Sequence, residues 1–264
     1  MTNIVIPDSV TEIGEDAFYC CTSLKSIVIP DSVTEIGENA FNGCTSLEHV
    51  VLPDSIAKIG RGTFSRCSSL ENVIISDSIT EIGERAFEYC TSLEKVIILD
   101  SVTEIGERAF MKCTSLSDIY LPENLVGISG WLFEDCTSLW HIDLPKCTSV
   151  ISVGAFENCT SLKNIVLPDT ITRIGYWAFM DCTSLEEVFL PESENYTIDY
   201  LAFDGCRSLK AIHSAAQNPG GISIADNAFE AQTIVECTLY VPAESKKAYL
   251  KHPVFGRFKK IETE

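Results

Sequence analysis

Residues 24–46 read LKSIVIPDSVTEIGENAFNGCTS, and closely related segments recur along most of the chain. Cysteine marks the period, because it recurs every 23 residues through eight successive units and once more after 24. The cysteines of this column are Cys21, Cys44, Cys67, Cys90, Cys113, Cys136, Cys159, Cys182 and Cys206. Phenylalanine keeps the same step from Phe18 to Phe179 and continues at Phe203 and Phe229. This regularity predicts a stack of similar units, each touching only its neighbours.

A single unit shows how the stack is built. Apolar residues alternate at Ile27 and Ile29, which predicts a short strand with one face inward. Pro30 ends the strand because proline has no N–H for the ladder. The predicted inward positions of this unit are Leu24, Ile27, Ile29, Val33, Ile36, Ala40, Phe41 and Cys44. One unit cannot bury these residues alone, so we expect neighbouring units to pair in parallel at a spacing of about 4.8 Å.

Three motifs recur in the chain, L-x-x-I-x-I-P, I-G-x-x-A-F and C-T-S-L. Through them residues 1 to about 242 resemble the BspA-like class of leucine-rich repeats. The resemblance implies a repeat solenoid, a right-handed coil with a parallel sheet of short strands on its concave face. It also implies a secreted or cell-surface protein that recognises or adheres to a host or cell-surface protein. Since a fold alone does not give a function, these are expectations.

Two parts of the chain are expected. Residues 1–242 form a solenoid of about ten units, and residues 243–264 form a C-terminal cap. The cap is predicted to hold a short helix from about Ala243 to Lys251, followed by aromatic residues that fold over the last coil. At the other end Met1 occupies the leucine column without a preceding cap. We expect either a fragment of a longer protein, which we favour, or an open edge that allows self-association.

Charge and hydropathy exclude several kinds of partner. The net charge is -19, with 13 basic and 35 acidic residues in 1–242 against six and three in 243–264. An acidic body repels phosphate backbones, so nucleic acid is not an expected partner. The chain has no run of 18 apolar residues, so we expect no membrane insertion. The sequence shows no signal peptide, which leaves a cytoplasmic location open beside the surface location that the resemblance implies.

The twelve cysteines are interpreted through their periodicity. A stacked column places identical side chains side by side, which favours buried thiols that behave as small apolar groups. A disulfide network involving Cys20, Cys147 or Cys237 is the weaker alternative. A zinc site is weaker still, because no CxxC pair occurs. We therefore predict no metal site and no cofactor.

Residues suited to catalysis are few and scattered. The closest arrangement is Asp118 beside His141 in neighbouring units, where a carboxylate can orient an imidazole. No serine or cysteine is placed to be activated by that pair, so we predict no catalytic residue and no enzyme. An acidic column follows the strands, and it favours turn hydrogen bonds over calcium binding. Its members are Asp8, Asp31, Asp54, Asp77, Asp100, Glu123, Asp169 and Glu192.

One residue in each strand points away from the core, and we expect this column to line the open sheet face. Its members are Val5, Val28, Val51, Ile74, Ile97, Tyr120, Asp143, Val166, Phe189 and His213. Five consecutive aliphatic residues form an apolar stripe, which is typical of an interaction surface. The alternative is that β-branched residues merely suit a pleated strand. The sequence supports both interpretations equally.

The repeat is irregular near its middle, where Glu123–Ser129 replaces the expected Asp-Ser-Val-Thr-Glu-Ile-Gly. Tyrosine and tryptophan with mixed polar neighbours are typical of binding hot spots. The predicted partner-binding residues are Asp118, Tyr120, Trp140, His141, Asp143, Phe189 and His213. The alternatives are drift of the repeat without a role, a rigid structural spacer, and an intracellular scaffold with no ligand on this face.

Overall fold

The computed structural model describes residues 3–264, in which most units supply one longer and one shorter strand. The prediction that Met1 occupies the leucine column lies outside these residues. The strands in chain order are β1 (Asn3–Val5), β2 (Glu12–Ile13), β3 (Ser26–Val28), β4 (Glu35–Ile36), β5 (His49–Val51), β6 (Lys58–Ile59), β7 (Asn72–Ile74), β8 (Glu81–Ile82), β9 (Lys95–Ile97), β10 (Glu104–Ile105), β11 (Asp118–Tyr120), β12 (Gly127–Ile128), β13 (Val150–Ile151), β14 (Asn164–Val166), β15 (Arg173–Ile174), β16 (Glu187–Leu190), β17 (Thr197–Ile198), β18 (Ala211–Ser214), β19 (Ser223–Ile224), β20 (Thr238–Val241) and β21 (Lys260–Thr263).

Parallel pairing joins each strand to the equivalent strand of the next unit. The longer strands form a six-stranded sheet, β1-β3-β5-β7-β9-β11, and a five-stranded sheet, β14-β16-β18-β20-β21. The shorter strands form the sheets β2-β4, β10-β8-β6 and β12-β13-β15-β17-β19. The register joins positions one repeat apart, as in Ile27 with Val50 and Val50 with Val73. The predicted leucine-rich-repeat solenoid of parallel strands is confirmed.

A column of phenylalanine rings runs through the core. From Phe18 to Phe229 the rings are stacked on their neighbours, with centroids 5.1–5.9 Å apart. Phe110 in mid-stack has no exposed surface. The period places one ring per coil, and each ring covers the face of the next. The column is therefore continuous only because the coils lie flat against each other.

The cysteine column is a buried set of thiols. All twelve cysteines are free, and Cys44 through Cys206 in this column are buried. Each of these thiols donates to the carbonyl of a phenylalanine in the preceding coil, as Cys113 does to Phe87 at 3.2 Å. Burial raises the pKa of the Cys44 thiol to about 12, with a smaller contribution from Cys21. Cysteine thus fills a small apolar site while it also satisfies a carbonyl.

The open sheet is interrupted in mid-molecule. Residues 140–144 form no strand, although the repeat pattern predicts one there. Asp143 stands where the other units carry β-branched or aromatic residues, and its side chain is 95% exposed. Aspartate is disfavoured in strands because its carboxylate gains nothing from packing on a pleated surface. The expectation that Asp143 occupies a strand is therefore wrong, and the gap separates β11 from β14.

The C-terminal segment is more varied than predicted. Helix α1 (Ala231–Glu236) precedes β20, and helix α2 (Lys246–Tyr249) is shorter than the helix expected over Ala243–Lys251. Two 3-10 turns, Pro219–Gly221 and Phe255–Arg257, complete the helical elements. The last strand, β21, continues the open sheet beyond β20, which the sequence did not indicate. The boundary at residue 242 stays a prediction.

Aromatic residues of this segment close the phenylalanine column. Phe258 meets Phe229 edge to face, with centroids 5.6 Å apart and planes at 79°. Tyr249 is fully buried, and its hydroxyl lies 2.8 Å from the Ser214 hydroxyl and 3.0 Å from the Ala216 carbonyl oxygen. The ring of Phe258 thus ends the stack of parallel rings, while the role of residues 243–264 as a cap stays a prediction.

Candidate functional site

The outward column of the six-stranded sheet is an exposed apolar ladder. The sheet register places Val28 beside Val51 and Val51 beside Ile74, so these side chains stand in one row. The exposed fractions are 76% for Val5, 62% for Val28, 62% for Val51, 64% for Ile74 and 49% for Ile97. We call these five residues the aliphatic ladder. Such a continuous apolar row exposed to water is typical of interaction surfaces.

A cleft lies at the end of the ladder formed by Ile74 and Ile97. Ile74, Ile97 and Leu99 line a mainly apolar cavity of about 340 Å³, together with Asn72 and Lys95. Leu99 stands where most units have proline, and it is 40% exposed. Leu99 was not among the predicted site residues, although its departure from the repeat is visible in the sequence. The cleft offers room for one apolar side chain of a partner.

Four of the seven predicted binding residues meet around the gap in the sheet. Asp118, Tyr120, His141 and Asp143 line a cavity of about 200 Å³. Lys95 pairs with Asp118 at 2.9 Å and also lies 4.9 Å from the centre of the Tyr120 ring. The repeat spacing therefore predicted that these four residues lie together, whereas the lysine beside them was not predicted; their role in binding stays a prediction.

Asp118 and His141 do not orient each other. His141 Nε2 lies 3.2 Å from the Asp143 carboxylate, while Asp118 has Lys95 as its partner. Trp140 is 54% exposed, with its ring 5.5 Å from that of His141, and it lies outside the cavity at the gap. The arrangement offers aromatic and charged contacts rather than an activated nucleophile.

The remaining two predicted residues belong to a separate aromatic stack. His213 lies between Phe189 and Tyr240, with ring centroids 4.4 and 4.9 Å apart. Its Nδ1 is 3.0 Å from a carboxylate oxygen of Glu264. Phe189 and His213 are only partly exposed, because each ring covers part of its neighbour. Tyr240 and Glu264 were missed because they follow the last regular repeat.

Two members of the acidic column after the strands, Asp100 and Asp169, form hydrogen bonds in the turns. Asp100 accepts a hydrogen bond from the Glu123 amide at 2.8 Å, and Asp169 does the same for Glu192. Each carboxylate thus joins one coil to the next, as expected for turn residues. Over residues 3–264 no three His, Cys, Asp or Glu side chains are arranged to hold a metal ion. None of the helices in this part of the chain is long and apolar enough to cross a membrane.

Together the stacked coils, the regular sheet register and the exposed face define a repeat protein of the leucine-rich class. The family model for the BspA type leucine rich repeat region matches in six copies, over residues 1–117, 80–210 and 185–255. The chain belongs to this family. No curated protein matches the chain.

Solved structures of bacterial leucine-rich repeat proteins are similar to this one. A Bacteroides ovatus protein is 27% identical, covering 94% of this chain and 72% of its own, with a TM-score of 0.69. The Treponema pallidum (T. pallidum) leucine rich repeat protein is 34% identical, covering 61% and 77%, with a TM-score of 0.56. A leucine rich cell surface protein from Faecalibacterium prausnitzii is 28% identical, covering 100% and 79%, with a TM-score of 0.51.

Proposed function

We propose that this chain is a non-enzymatic protein-recognition and adhesion module that binds a protein partner through its open sheet face. The aliphatic ladder carries the proposal, because five large apolar side chains in register stand in water on a sheet anchored to a rigid core. Burying an exposed side chain of this size contributes roughly 1.5–3 kcal/mol. A partner that covers the ladder gains this free energy at several positions.

The residues around the gap supply specificity in this proposal. Tyr120 and Trp140 are both more than half exposed, and they stand near the polar pairs at Asp118 and His141. Large rings rimmed by hydrogen-bonding groups are the usual make-up of hot spots. Phe189 and His213 extend the contact to the far side of the gap. The seven predicted residues thus serve as anchors beside the apolar ladder.

A secreted or cell-surface location is part of the same proposal. It is supported by family membership and by the similar Faecalibacterium protein, which is described as a cell surface protein. Free thiols also suit a reducing interior, so a rigid spacer or an intracellular scaffold is the alternative. In that alternative, substitutions on the open face leave every interaction unchanged.

The test measures adhesion of the purified chain to cell monolayers and to immobilised surface proteins. The double variant Val51→Glu with Ile74→Glu places two charges in the ladder and should lower affinity at least about tenfold, which is about 1.4 kcal/mol. Val235→Glu is the matched control, since Val235 is 51% exposed and lies on helix α1. Binding that is equal in the ladder variant and the control would favour the spacer.

A second comparison addresses the hot spots. Tyr120→Ala combined with Trp140→Ala should weaken the same interaction by at least about 2 kcal/mol if these rings are anchors. Tyr19→Ala is the control, because Tyr19 is 55% exposed in a turn of the first coil. An intact fold with undiminished binding would remove Tyr120 and Trp140 from the interface while leaving the ladder to be judged separately.

A further inference from the structure

A second group of aromatic residues reaches the surface away from the open sheet. It occupies the turns that follow the shorter strands β12, β15 and β17, at Trp131, Tyr176, Trp177 and Tyr200. Tyr176 is 45% exposed, Trp177 38% and Tyr200 50%. We call these four residues the aromatic turn face. The earlier turns carry charged residues, asparagine or glycine at the same positions, so these aromatic residues are a departure from the repeat.

The backbone presents these rings rigidly. Trp131 and Trp177 adopt positive φ angles of 52° and 57°, a conformation that the repeat imposes at this position in most coils. The amide of Trp177 donates to the Tyr200 carbonyl at 3.3 Å, which ties adjacent turns together. Gly154 lies directly beneath Trp131, because a Cβ at Gly154 would lie 2.5 Å from the indole. A partner would therefore lose little chain entropy by ordering this surface.

The surroundings of the rings are acidic. The turns at 130–135, 153–158, 176–181 and 200–205 contain no lysine or arginine, whereas those at 61–66, 84–89 and 107–112 contain five. Asp181 and Asp204 lie in adjacent turns, joined by an amide-to-carbonyl hydrogen bond of 2.8 Å. Partial burial, followed by the charges of Glu134, Asp135 and Asp181, raises the pKa of Glu157 to about 7. Negative charge is thus crowded on this side of the molecule.

Two of the four rings stack on a guanidinium group of the chain itself. The Arg108 guanidinium lies 4.3 Å from the centre of the Trp131 ring, and the Arg173 guanidinium lies 5.7 Å from that of Tyr176. Within residues 3–264 no cation of the chain is stacked on Trp177 or Tyr200. Trp177 and Tyr200 therefore lack the cation that Trp131 and Tyr176 have, and in the same part of the chain Asp181 and Asp204, which belong to the same two turns, form no ion pair.

We propose that Trp177 and Tyr200, with Asp181 and Asp204, bind an arginine-bearing segment of a partner protein. A guanidinium is planar, stacks on aromatic faces and donates paired hydrogen bonds to a carboxylate, so one side chain uses both features of the surface. A purely apolar segment leaves the carboxylates unused, and an anionic one is repelled. This surface is distinct from the aliphatic ladder, so the two interactions are independent.

The test uses a short oligoarginine peptide, titrated calorimetrically into the full chain at about 0.15 M salt, where the Debye length is about 8 Å. Trp177→Ala with Tyr200→Ala should weaken binding at least about tenfold without changing the net charge. Asp181→Asn with Asp204→Asn should weaken it as well and reduce its salt dependence. Tyr19→Ala should bind as the unaltered chain does.

Further variants and measurements distinguish the proposed arginine site from a folding defect, from general attraction to an acidic protein and from dimer formation. Trp177→Phe keeps a ring and should retain most of the affinity, which guards against a fold defect in the double variant; circular dichroism checks the fold of each. Peptide affinity that is unchanged by loss of both rings would overturn the proposal, since attraction would then be general to an acidic protein. Concentration-dependent dimers abolished by Trp177→Ala would also overturn it, because a second copy would then be the occupant. Tyr120→Ala tests the open sheet and should leave the peptide interaction intact.

Discussion

At the scale of single residues, the stability of the molecule rests on rings and thiols that meet their equivalents in the next coil. Phe110 lies between Phe87 and Phe133, with centroid distances of 5.4 and 5.9 Å. Phe110→Ala should lower the free energy of unfolding by about 3–5 kcal/mol, because it removes a buried ring from both neighbours and leaves a cavity. Chemical denaturation measures this loss. Tyr19→Ala, at an exposed turn position, is the control, and a loss for Phe110→Ala no greater than that of the control would contradict a buried ring column.

Glu157 predicts a pH dependence of stability. Its folded pKa of about 7 is above the ordinary value of 4.5, so the folded chain holds a proton that the unfolded chain releases. Its contribution to stability is therefore largest below about pH 4.5 and is lost as the pH rises through about 7. Since the side chain is only partly buried, we expect an effect of about 1 kcal/mol or less.

Glu157→Gln tests that sign. The variant should be more stable than the unaltered chain at pH 8, and the advantage should shrink at pH 5, where the carboxyl is protonated. Thermal unfolding at both pH values gives the comparison. Glu104→Gln is the control, because Glu104 occupies an exposed position in a short strand. This substitution should change the stability by the same amount at pH 8 and at pH 5. An advantage of Glu157→Gln that grows on acidification would contradict the assignment.

At the scale of elements, the informative feature is the gap in the open sheet. Asp143→Val would place a β-branched residue between Tyr120 and Val166, in the outward column. We expect the variant to extend the strand pairing and to raise stability by about 0.5–1 kcal/mol, since cross-strand apolar pairs are worth about that much. Asp226→Val is the control, because Asp226 is also 95% exposed but lies outside the sheet. If Asp143→Val is less stable than the unaltered chain, the pair with His141 matters more than the missing strand.

The sequence predicted the elements of the regular units and failed at the irregular unit in mid-molecule and after the last repeat. A 23-residue period fixes which side chains face the core, so the rings and thiols in the column were predictable. The gap at 140–144 was not predictable. Strand formation there depends on whether the low strand propensity of one aspartate outweighs the propensities of its neighbours. Strand β21 and the placing of Tyr240 and Glu264 depend on long-range pairing after the last repeat.

The candidate site likewise has a part that was predictable from the repeat and a part that was not. Asp118, Tyr120 and His141 were placed together because adjacent coils bring equal positions side by side. The pairing of Asp118 with Lys95 was not predicted, because a long charged side chain can reach several oppositely charged neighbours. The aromatic turn face was also missed, because the outward position in a turn leaves no alternating apolar signal in the sequence.

At the scale of the whole molecule, the solenoid separates two surfaces on one rigid body. The open sheet carries the aliphatic ladder, and the turns after the shorter strands carry aromatic and acidic residues. Because each coil contacts only its neighbours, the core that supports both surfaces is a continuous column rather than a central cluster. Both proposals therefore depend on the coils lying flat with their periodic residues away from water.

Labelling of thiols in the native protein tests that dependence most directly. Mass spectrometry after brief exposure to an alkylating reagent should find Cys20 modified, with slower reaction at the partly exposed Cys21 and Cys147. The mid-stack thiols Cys90 and Cys113 should react only after unfolding, since burial raises their pKa and excludes the reagent. Rapid labelling of Cys90 and Cys113 in the folded protein would contradict the stacked column and both surfaces built on it.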